Sequence, residues 1–373
     1  MRHLAILVLL TTCAVAEEFP TGQIIPEVKC TADASQSYAL YLPSKYDLAQ
    51  SWPVIFAFDP GARGRIPVER YQAAAEKYGY IIAGSNNSRN GPWEVSTNAA
   101  RAMFPDVTSR FNVDQKLIYL AGMSGGARVV MGIALGQPDI AGVIASSAGF
   151  PDSKPRKTAK FPVFMTAGTE DFNLIEMRRL DRELTSPHRL VVFEGPHVWL
   201  SSELAVEAVE WMEIQAMKSG RKPRDDARID SIFGVRKAGA ATLPALNSLV
   251  ADFQGVRDVS EISAKAAEMG RDKHVRDALK KEREEDEREV RLSQEIVDAE
   301  ARLTSPERGD ALRELRDRWK HLAALANAED DTPDRRLARR VLRGLAMSVR
   351  ERTTDQQYLR IVDEYRPARG GAR

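Results

Sequence analysis

The chain has 373 residues, which is enough for one large domain or two medium ones. Its 54 Lys and Arg residues balance its 53 Asp and Glu residues, so the formal net charge is +1. The composition has no basic excess and no aromatic residues interleaved with basic ones, and therefore argues against a nucleic-acid-binding protein.

The first 16 residues have the pattern of an export signal. A short basic start, Met1-Arg2-His3, precedes the apolar run Leu4 to Leu10, and Ala14-Val15-Ala16 supplies a small-residue cleavage site. The apolar run is too short to anchor a mature protein across a membrane. We expect a secreted or periplasmic protein that begins at Glu17.

Cys13 leaves a second interpretation of this segment. Leu10-Thr11-Thr12-Cys13 loosely resembles the box at which bacterial lipoproteins are lipidated, although threonine before the cysteine fits that pattern poorly. Simple cleavage is favoured, and membrane attachment is expected only if Cys13 is lipidated. After simple cleavage Cys30 is the sole cysteine, so no intramolecular disulfide can form.

Residues 22–218 alternate between strand-like and helix-like segments, which predicts an α/β unit with a mostly parallel sheet flanked by helices. The predicted strands are 37–42, 52–58, 80–83, 116–121, 141–146, 161–167 and 189–193. The predicted helices are 68–77, 97–111, 125–135, 173–184 and 202–217.

The remainder of the chain has no convincing strand. Residues 219–229 combine charge, proline and glycine, and are predicted to be a linker. Residues 230–368 are predicted to form a helical, weakly solenoid-like domain without a clean repeat. Its predicted helices are 243–253, 259–269, 272–303, 308–328, 334–350 and 355–365. Residues 280–289 are all charged, and the favoured interpretation is a solvated stretch of a long helix.

The pentapeptide Gly122-Met123-Ser124-Gly125-Gly126 lies between a predicted strand and a predicted helix. A serine at such a turn usually adopts positive φ, and flanking glycines remove the Cβ atoms that would clash there. The turn raises the hydroxyl above the sheet at a helix N-terminus, where developing negative charge is favoured. The pattern predicts Ser124 as a nucleophile.

A serine nucleophile needs a base, and two histidines follow Ser124 within the α/β unit. His188 directly precedes the last predicted strand, whereas His197 directly follows it. Catalytic groups of open parallel sheets gather at the carboxyl ends of the strands. His197 is therefore the predicted base, and His188 is predicted to be a surface residue at the opposite edge.

The group that orients the histidine is expected in the loop after the strand 161–167. Asp171 is the first choice and Glu170 is the competing carboxylate one position away. Either residue could instead cap the helix that follows. The sequence leaves both alternatives open.

The oxyanion of a tetrahedral intermediate needs N–H donors. Gly125, directly after the nucleophile, is predicted to supply one. The loop after the strand 52–58 is predicted to supply the other from Gly61 or Ala62, although loop glycines also serve simple turns.

A polar loop at 84–93 follows another predicted strand and should line the mouth of the site. Asn86, Arg89 and Trp93 are candidates for binding substrate by hydrogen bond and stacking, and the alternative is an ordinary surface loop. Trp199, in the triplet after the last strand, is assigned to the same substrate-binding set.

Residues 35–215 resemble the α/β-hydrolase superfamily, and more narrowly the secreted esterases of the polyhydroxybutyrate-depolymerase, feruloyl-esterase and dienelactone-hydrolase-like groups. The resemblance depends on five motifs: Tyr38-Ala39-Leu40-Tyr41-Leu42-Pro43, Val113-Asp114, Gly122 to Gly126, Gly168-Thr169-Glu170-Asp171 and His197-Val198-Trp199. It implies Ser-His-Asp hydrolysis of carboxylic esters through an acyl-enzyme, without metal or cofactor. Such esterases commonly carry His-Gly at the oxyanion loop, where this chain has Asp59-Pro60-Gly61.

The favoured function is an exported serine hydrolase that acts on a small-molecule or polymeric carboxylic ester. A serine peptidase or amidase with the same triad is one alternative. A non-catalytic hydrolase-like binding module with a helical interaction domain is another. The C-terminal helices are expected to dock on the hydrolase domain or on a protein partner.

Overall fold

The computed structural model describes residues 19–152, 154 and 156–366. The predicted export signal with Cys13, and the last two residues of the predicted helical domain, lie outside the described residues.

One eight-stranded sheet forms the centre of the first half of the chain. Strands β1 to β8 are Ile24–Lys29, Ser37–Tyr41, Trp52–Phe58, Ile81–Ser85, Val113–Met123, Gly142–Ser146, Val163–Gly168 and His188–Phe193. Their order is β1-β2-β4-β3-β5-β6-β7-β8, and every pairing is parallel except those that β2 makes with β1 and β4.

Five helices cover the two faces of this sheet. Helices α1 to α5 are Arg65–Tyr78, Trp93–Arg110, Gly125–Gly136, Leu174–Glu183 and Ser202–Lys218. α1 and α5 pack on one face, and α2, α3 and α4 on the other. The predicted α/β class is confirmed, and the sheet order with a strand–serine–helix turn after β5 is that of the α/β-hydrolase fold.

Strand β3 shows why these residues form a central strand. All seven of its residues are buried. Phe56 and Phe58 join the core on the face of α2, α3 and α4, whereas Ile55 and Ala57 join the core on the face of α1 and α5. Side chains alternate across a strand, so a strand covered by helices on both faces reads as a continuous apolar run.

The boundaries differ from the sequence prediction at a few places. β5 spans Val113–Met123 and is longer than the predicted strand 116–121. β1 is an additional edge strand that the sequence pattern does not separate. His188 is the first residue of β8 rather than a loop residue before it.

The segment predicted as a linker is partly helical. Helix α6, Asp226–Gly239, begins within 219–229, and its N-cap Asp225 accepts a hydrogen bond from the N–H of Arg228. Apolar residues of α6 share a core with Ile214 and Met217 of α5. The apolar residues of α6 that enter this core are separated by charged residues. The composition of the segment therefore resembles that of a linker.

Helices α7 and α8, Leu243–Phe253 and Ser260–Met269, complete this extension of α5. Trp211 of α5 donates its indole N–H to Asp252 of α7 at 2.6 Å. Arg236 of α6 pairs with the other carboxylate oxygen of Asp252 at 2.5 Å. These buried contacts join α6 and α7 to the α/β unit.

The last four helices form a separate core. Helices α9 to α12 are Lys273–Ala301, Arg308–Ala326, Pro333–Arg352 and Gln356–Tyr365, as the sequence predicts to within a few residues. Trp319, Leu342 and Tyr358 are fully buried at their centre. None of the helices in the described part of the chain is long and apolar enough to cross a membrane.

The charged run 280–289 lies within α9, but it is not uniformly solvated. Asp286 and Glu289 are buried, at 5% and 4% exposure. Asp286 pairs with Arg178 and Arg182 of α4, and Glu289 pairs with Arg340 of α11. The arginine partners come from distant segments of the chain. The local run of charges therefore predicts that Asp286 and Glu289 are exposed, although they are buried.

We predict that Asp252→Ala lowers the free energy of unfolding by about 3–5 kcal/mol, because it leaves Arg236 and the Trp211 N–H buried without their acceptor. Asp230→Ala is the matched control, since Asp230 pairs with Arg257 on the surface, and should change stability by no more than about 0.5 kcal/mol. Urea unfolding followed by tryptophan fluorescence measures both. Equal stabilities would contradict the contact between α5 and α7.

Candidate active site

Ser124 occupies a strained turn between β5 and α3. Its backbone has φ +53° and ψ −121°, a conformation that non-glycine residues rarely adopt. Its N–H donates to the carbonyl of Ser146 at 2.8 Å, which fixes the turn to β6. A Cβ on Gly122 would lie 2.3 Å from the carbonyl oxygen of Gly126, so only glycine permits this reversal.

His197 and Asp171 meet at the same edge of the sheet as Ser124. Ser124 follows β5, Asp171 follows β7 and His197 follows β8. The Nδ1–H of His197 donates to Asp171 Oδ1 at 2.7 Å. This bond commits Nδ1 to the carboxylate and makes Nε2 the ring nitrogen that can exchange a proton.

The pair is largely buried. Asp171 is fully buried, and the His197 side chain is 17% exposed. Asp171 Oδ1 also accepts the N–H of Asn173 at 2.8 Å. The ring of Phe172 stacks on the imidazole, with centroids 4.1 Å apart and an interplanar angle of 27°. The imidazole is therefore held by a hydrogen bond and by a ring face.

Glu170 takes a different direction from Asp171. Its two carboxylate oxygens pair with Arg339 at 2.7 Å and Arg343 at 3.3 Å. Of the two carboxylates that the sequence leaves open, Asp171 is the one bonded to His197. His188, at the other end of β8, bonds through Nδ1 to the carbonyl of Ser186.

Asp59 organises the loop predicted to hold the oxyanion. The carboxylate is fully buried and accepts the Gly61 N–H at 2.8 Å, the Arg63 guanidinium at 2.8 Å and the Trp199 indole N–H at 2.8 Å. These contacts show how two of the predicted site residues are held. The Gly61 N–H is already engaged within the loop, and Trp199 is a buried anchor between two loops, so its substrate contact stays a prediction.

Ala62 and Gly125 are therefore the backbone donors best suited to an oxyanion. Ala62 has φ +59°, and its N–H makes only a long contact of 3.4 Å with the carbonyl of Asp59. Gly125 is the first residue of α3, so its N–H belongs to the helix N-terminus.

The three candidate substrate-binding residues of the loop 84–93 lie in different surroundings. Asn86 donates its amide to the carbonyl of Pro26 at 3.1 Å and so ties β1 to the sheet, and its substrate role stays a prediction. Arg89 is exposed and its backbone bridges to Gly61. Trp93 is 44% exposed and its ring lies over α3.

Asn90 is a neighbour of the site that the sequence interpretation missed. Its N–H donates to the carbonyl of Pro60 at 2.9 Å. Its side-chain Oδ1 lies 1.8 Å from the position that a Cβ on Gly125 would occupy. No local pattern predicts this contact, because it joins loops from different strands.

The described residues include no group of three or more His, Cys, Asp or Glu side chains that could hold a metal ion.

Comparisons with known proteins give structural neighbours only. No family model matches the chain, and no curated protein sequence matches it. The similar solved structures include FphF, a fluorophosphonate-binding serine hydrolase of Staphylococcus aureus, which is 15% identical with a TM-score of 0.40 and is aligned over 52% of this chain and 99% of its own.

Two further neighbours are described as esterases. Esterase 2 of Thermogutta terrifontis, phosphonylated by sarin, is 14% identical with a TM-score of 0.41, over 56% of this chain and 99% of its own. A feruloyl esterase module from Clostridium thermocellum, complexed with sinapinate, is 14% identical with a TM-score of 0.38, over 48% of this chain and 82% of its own.

We predict that Gly126→Ala lowers the free energy of unfolding by about 2–3 kcal/mol, because its Cβ would lie 1.9 Å from the backbone carbonyl oxygen of Phe58. Gly136→Ala, at the end of the same helix, meets nothing within 4 Å and should be neutral or stabilising by up to about 1 kcal/mol. Thermal unfolding of the two variants makes the comparison, and equal shifts would contradict the close approach of α3 to β3.

We predict that Asp59→Ala costs about 2–4 kcal/mol of stability, because the buried N–H groups of Gly61 and Trp199 lose their acceptor. Arg63→Ala removes only the exposed partner of the same carboxylate, which is 57% exposed, and should cost less than about 1 kcal/mol. Chemical unfolding measures both changes. A larger loss for Arg63→Ala would show that the surface ion pair, not the buried network, holds this loop.

Proposed function

We propose that the protein is an exported serine hydrolase that cleaves carboxylic esters through a Ser124–His197–Asp171 triad and an acyl-enzyme. The observation that carries this proposal is the 2.7 Å hydrogen bond between His197 Nδ1 and the buried Asp171, at the sheet edge that also presents Ser124 on its turn. The nucleophile, the orienting acid and the base follow one another along the chain in the order typical of this fold.

The acylation step follows from these positions. His197 Nε2 takes the proton of Ser124 as Oγ attacks the ester carbonyl carbon, and the carbonyl π electrons move to its oxygen. The N–H groups of Gly125 and Ala62 stabilise that oxyanion, together with the N-terminus of α3. When the intermediate collapses, the bond to the alcohol oxygen breaks and His197 returns its proton to the leaving alcohol.

Deacylation repeats the same steps with water. His197 takes a proton from water, the hydroxide equivalent attacks the acyl carbon, and Ser124 leaves with the proton returned by the imidazolium. Asp171 keeps the imidazole in the tautomer with hydrogen on Nδ1 and stabilises the imidazolium. Because the carboxylate is buried, this interaction is stronger than it would be in water.

The proposed substrate is a small-molecule or polymeric ester. Arg89 and Trp93 are the exposed polar and aromatic side chains of the loop that borders the oxyanion loop, and we propose that they bind the substrate. Export to the periplasm or the medium is proposed from residues 1–16. Lipidation at Cys13 would be the route to a membrane.

We predict that wild-type protein hydrolyses p-nitrophenyl esters, and that Ser124→Ala and His197→Ala each lower kcat/KM by about 10⁴-fold or more. His188→Ala is the matched control, since His188 lies at the opposite end of β8, and should leave kcat/KM within about twofold. A series of acyl chain lengths, assayed by p-nitrophenolate release, would also size the acyl pocket.

The matched p-nitroanilides separate esterase from amidase activity. Ester turnover that exceeds anilide turnover supports the proposal, whereas faster anilide turnover would assign an amidase. Equal, negligible rates for wild type and Ser124→Ala on every ester would reject the proposed function.

A further inference from the structure

We propose that helix α11 of the C-terminal region positions the triad by clamping the acid loop, which we define as Thr169 to Phe172. The proposal rests on the proposed function and deepens it. It makes the C-terminal helices a support of the active site rather than an independent interaction module. Glu170 and Phe172, on either side of Asp171, are the positioning residues through which α11 acts.

Two arginines of α11 form ion pairs with the acid loop on the N-terminal side of Asp171. Arg339 and Arg343, four residues apart on one face of the helix, pair with the two oxygens of Glu170 at 2.7 and 3.3 Å. The three side chains are 23%, 23% and 18% exposed. Charge-assisted bonds in such a partly buried site are stronger and less screened than exposed surface pairs.

Arg340 fixes the backbone of the same loop. Its guanidinium donates to the carbonyl of Thr169 at 2.6 Å and pairs with Glu289 of α9 at 2.6 Å. The Arg340 and Glu289 side chains are 10% and 6% exposed. Burial raises the pKa of Glu289, and the adjacent Arg340 opposes that shift. The loop is thereby bonded to a buried ion pair inside the helical region.

Phe172 carries the contact to the histidine. The α11 backbone approaches Phe172 at Gly344, where an added Cβ would lie 3.4 Å from the Phe172 Cβ. The Phe172 ring in turn stacks on His197 with centroids 4.1 Å apart. The residues directly before and after Asp171 therefore both contact α11: Glu170 by ion pairs, and Phe172 by packing against Gly344.

The helical region can serve as a rigid support. Its four helices share one buried core, and α9 is bonded to α4 through Asp286, which pairs with Arg178 at 2.6 Å and Arg182 at 3.0 Å. Both α4 and the acid loop follow β7, so the region contacts the α/β unit where the acid of the triad is built. Catalysis is sensitive to errors of about 1 Å in such a group.

The first test is a double-mutant cycle on kcat and KM in the full chain. Glu170→Ala and the double variant Arg339→Ala/Arg343→Ala should each lower kcat by about 10-fold with KM within about twofold, because the groups act on the triad and not on substrate binding. The triple variant should lose no more than either, since all three residues serve one interaction. Arg350→Ala, on the same helix but paired with Asp363 of α12, should match wild type.

The second test varies the size of the side chain at position 344, which faces Phe172. Gly344→Ala places its Cβ at 3.4 Å from Phe172, an ordinary contact, and should keep kcat within about twofold. Gly344→Leu adds branches that must displace the Phe172 ring and should lower kcat by about 10-fold or more. Glu170→Gln, which keeps one acceptor for the arginines, should give a smaller loss than Glu170→Ala and covers the case in which Glu170→Ala does not fold.

An activity-independent readout keeps this proposal distinct from the proposed function. The low-field proton resonance of His197 Nδ1–H should be sharp in wild type, Arg350→Ala and Gly344→Ala, and broadened or lost in Glu170→Ala and Gly344→Leu below their unfolding temperatures. A purely structural role would lower the unfolding temperature but leave the resonance of the folded variants unchanged, and would overturn the proposal. If wild type cleaves no ester, the proposed function fails while this resonance still decides the positioning role.

Discussion

The close approach of α3 to β3 is the constraint on which the proposed site depends. Gly126 lies against the carbonyl of Phe58, so the helix that follows Ser124 is fixed directly to the residue that precedes the oxyanion loop. A second approach, of Gly168 to the carbonyl of Gly195, fixes the acid loop in the same way to residues 194–201, the loop that holds His197 and that we call the histidine loop. Backbone contacts of this kind hold the loops, and with them the side chains of the proposed site, in fixed positions. Transition-state stabilisation requires such pre-organisation.

Polar networks then connect these loops to one another and to the C-terminal helices. Asp59 joins the oxyanion loop to Trp199 of the histidine loop, and the arginines of α11 join the acid loop to a separate helical core. Satisfied polar groups in a buried setting stiffen their surroundings, whereas an unpaired one is costly. The site is thus a junction of four loops, each held by at least one buried charge or one tight backbone contact.

The parts predictable from sequence are those written in local patterns. Flanking glycines predict Ser124 as the nucleophile, and position after a strand predicts His197 as the base but leaves Asp171 and Glu170 as alternatives. Apolar periodicity predicts nearly every strand and helix. Contacts between distant segments leave no such pattern. Arg343 and Glu170 are 173 positions apart. The hydrogen bond of the Gly61 N–H likewise depends on the orientation of the Asp59 side chain, which no sequence pattern predicts. Buried charges in α9 read as solvated because their partners lie elsewhere in the chain.

Trapping the acyl-enzyme is the most direct test of whether Ser124 is the nucleophile. The full chain would be mixed with a slowly deacylating p-nitrophenyl ester, quenched in acid, and analysed by intact mass and peptide mapping. We expect a single added acyl group on the peptide that contains Ser124, and none in Ser124→Ala. An acyl group on another residue, or turnover of the ester without any acylated protein, would contradict it.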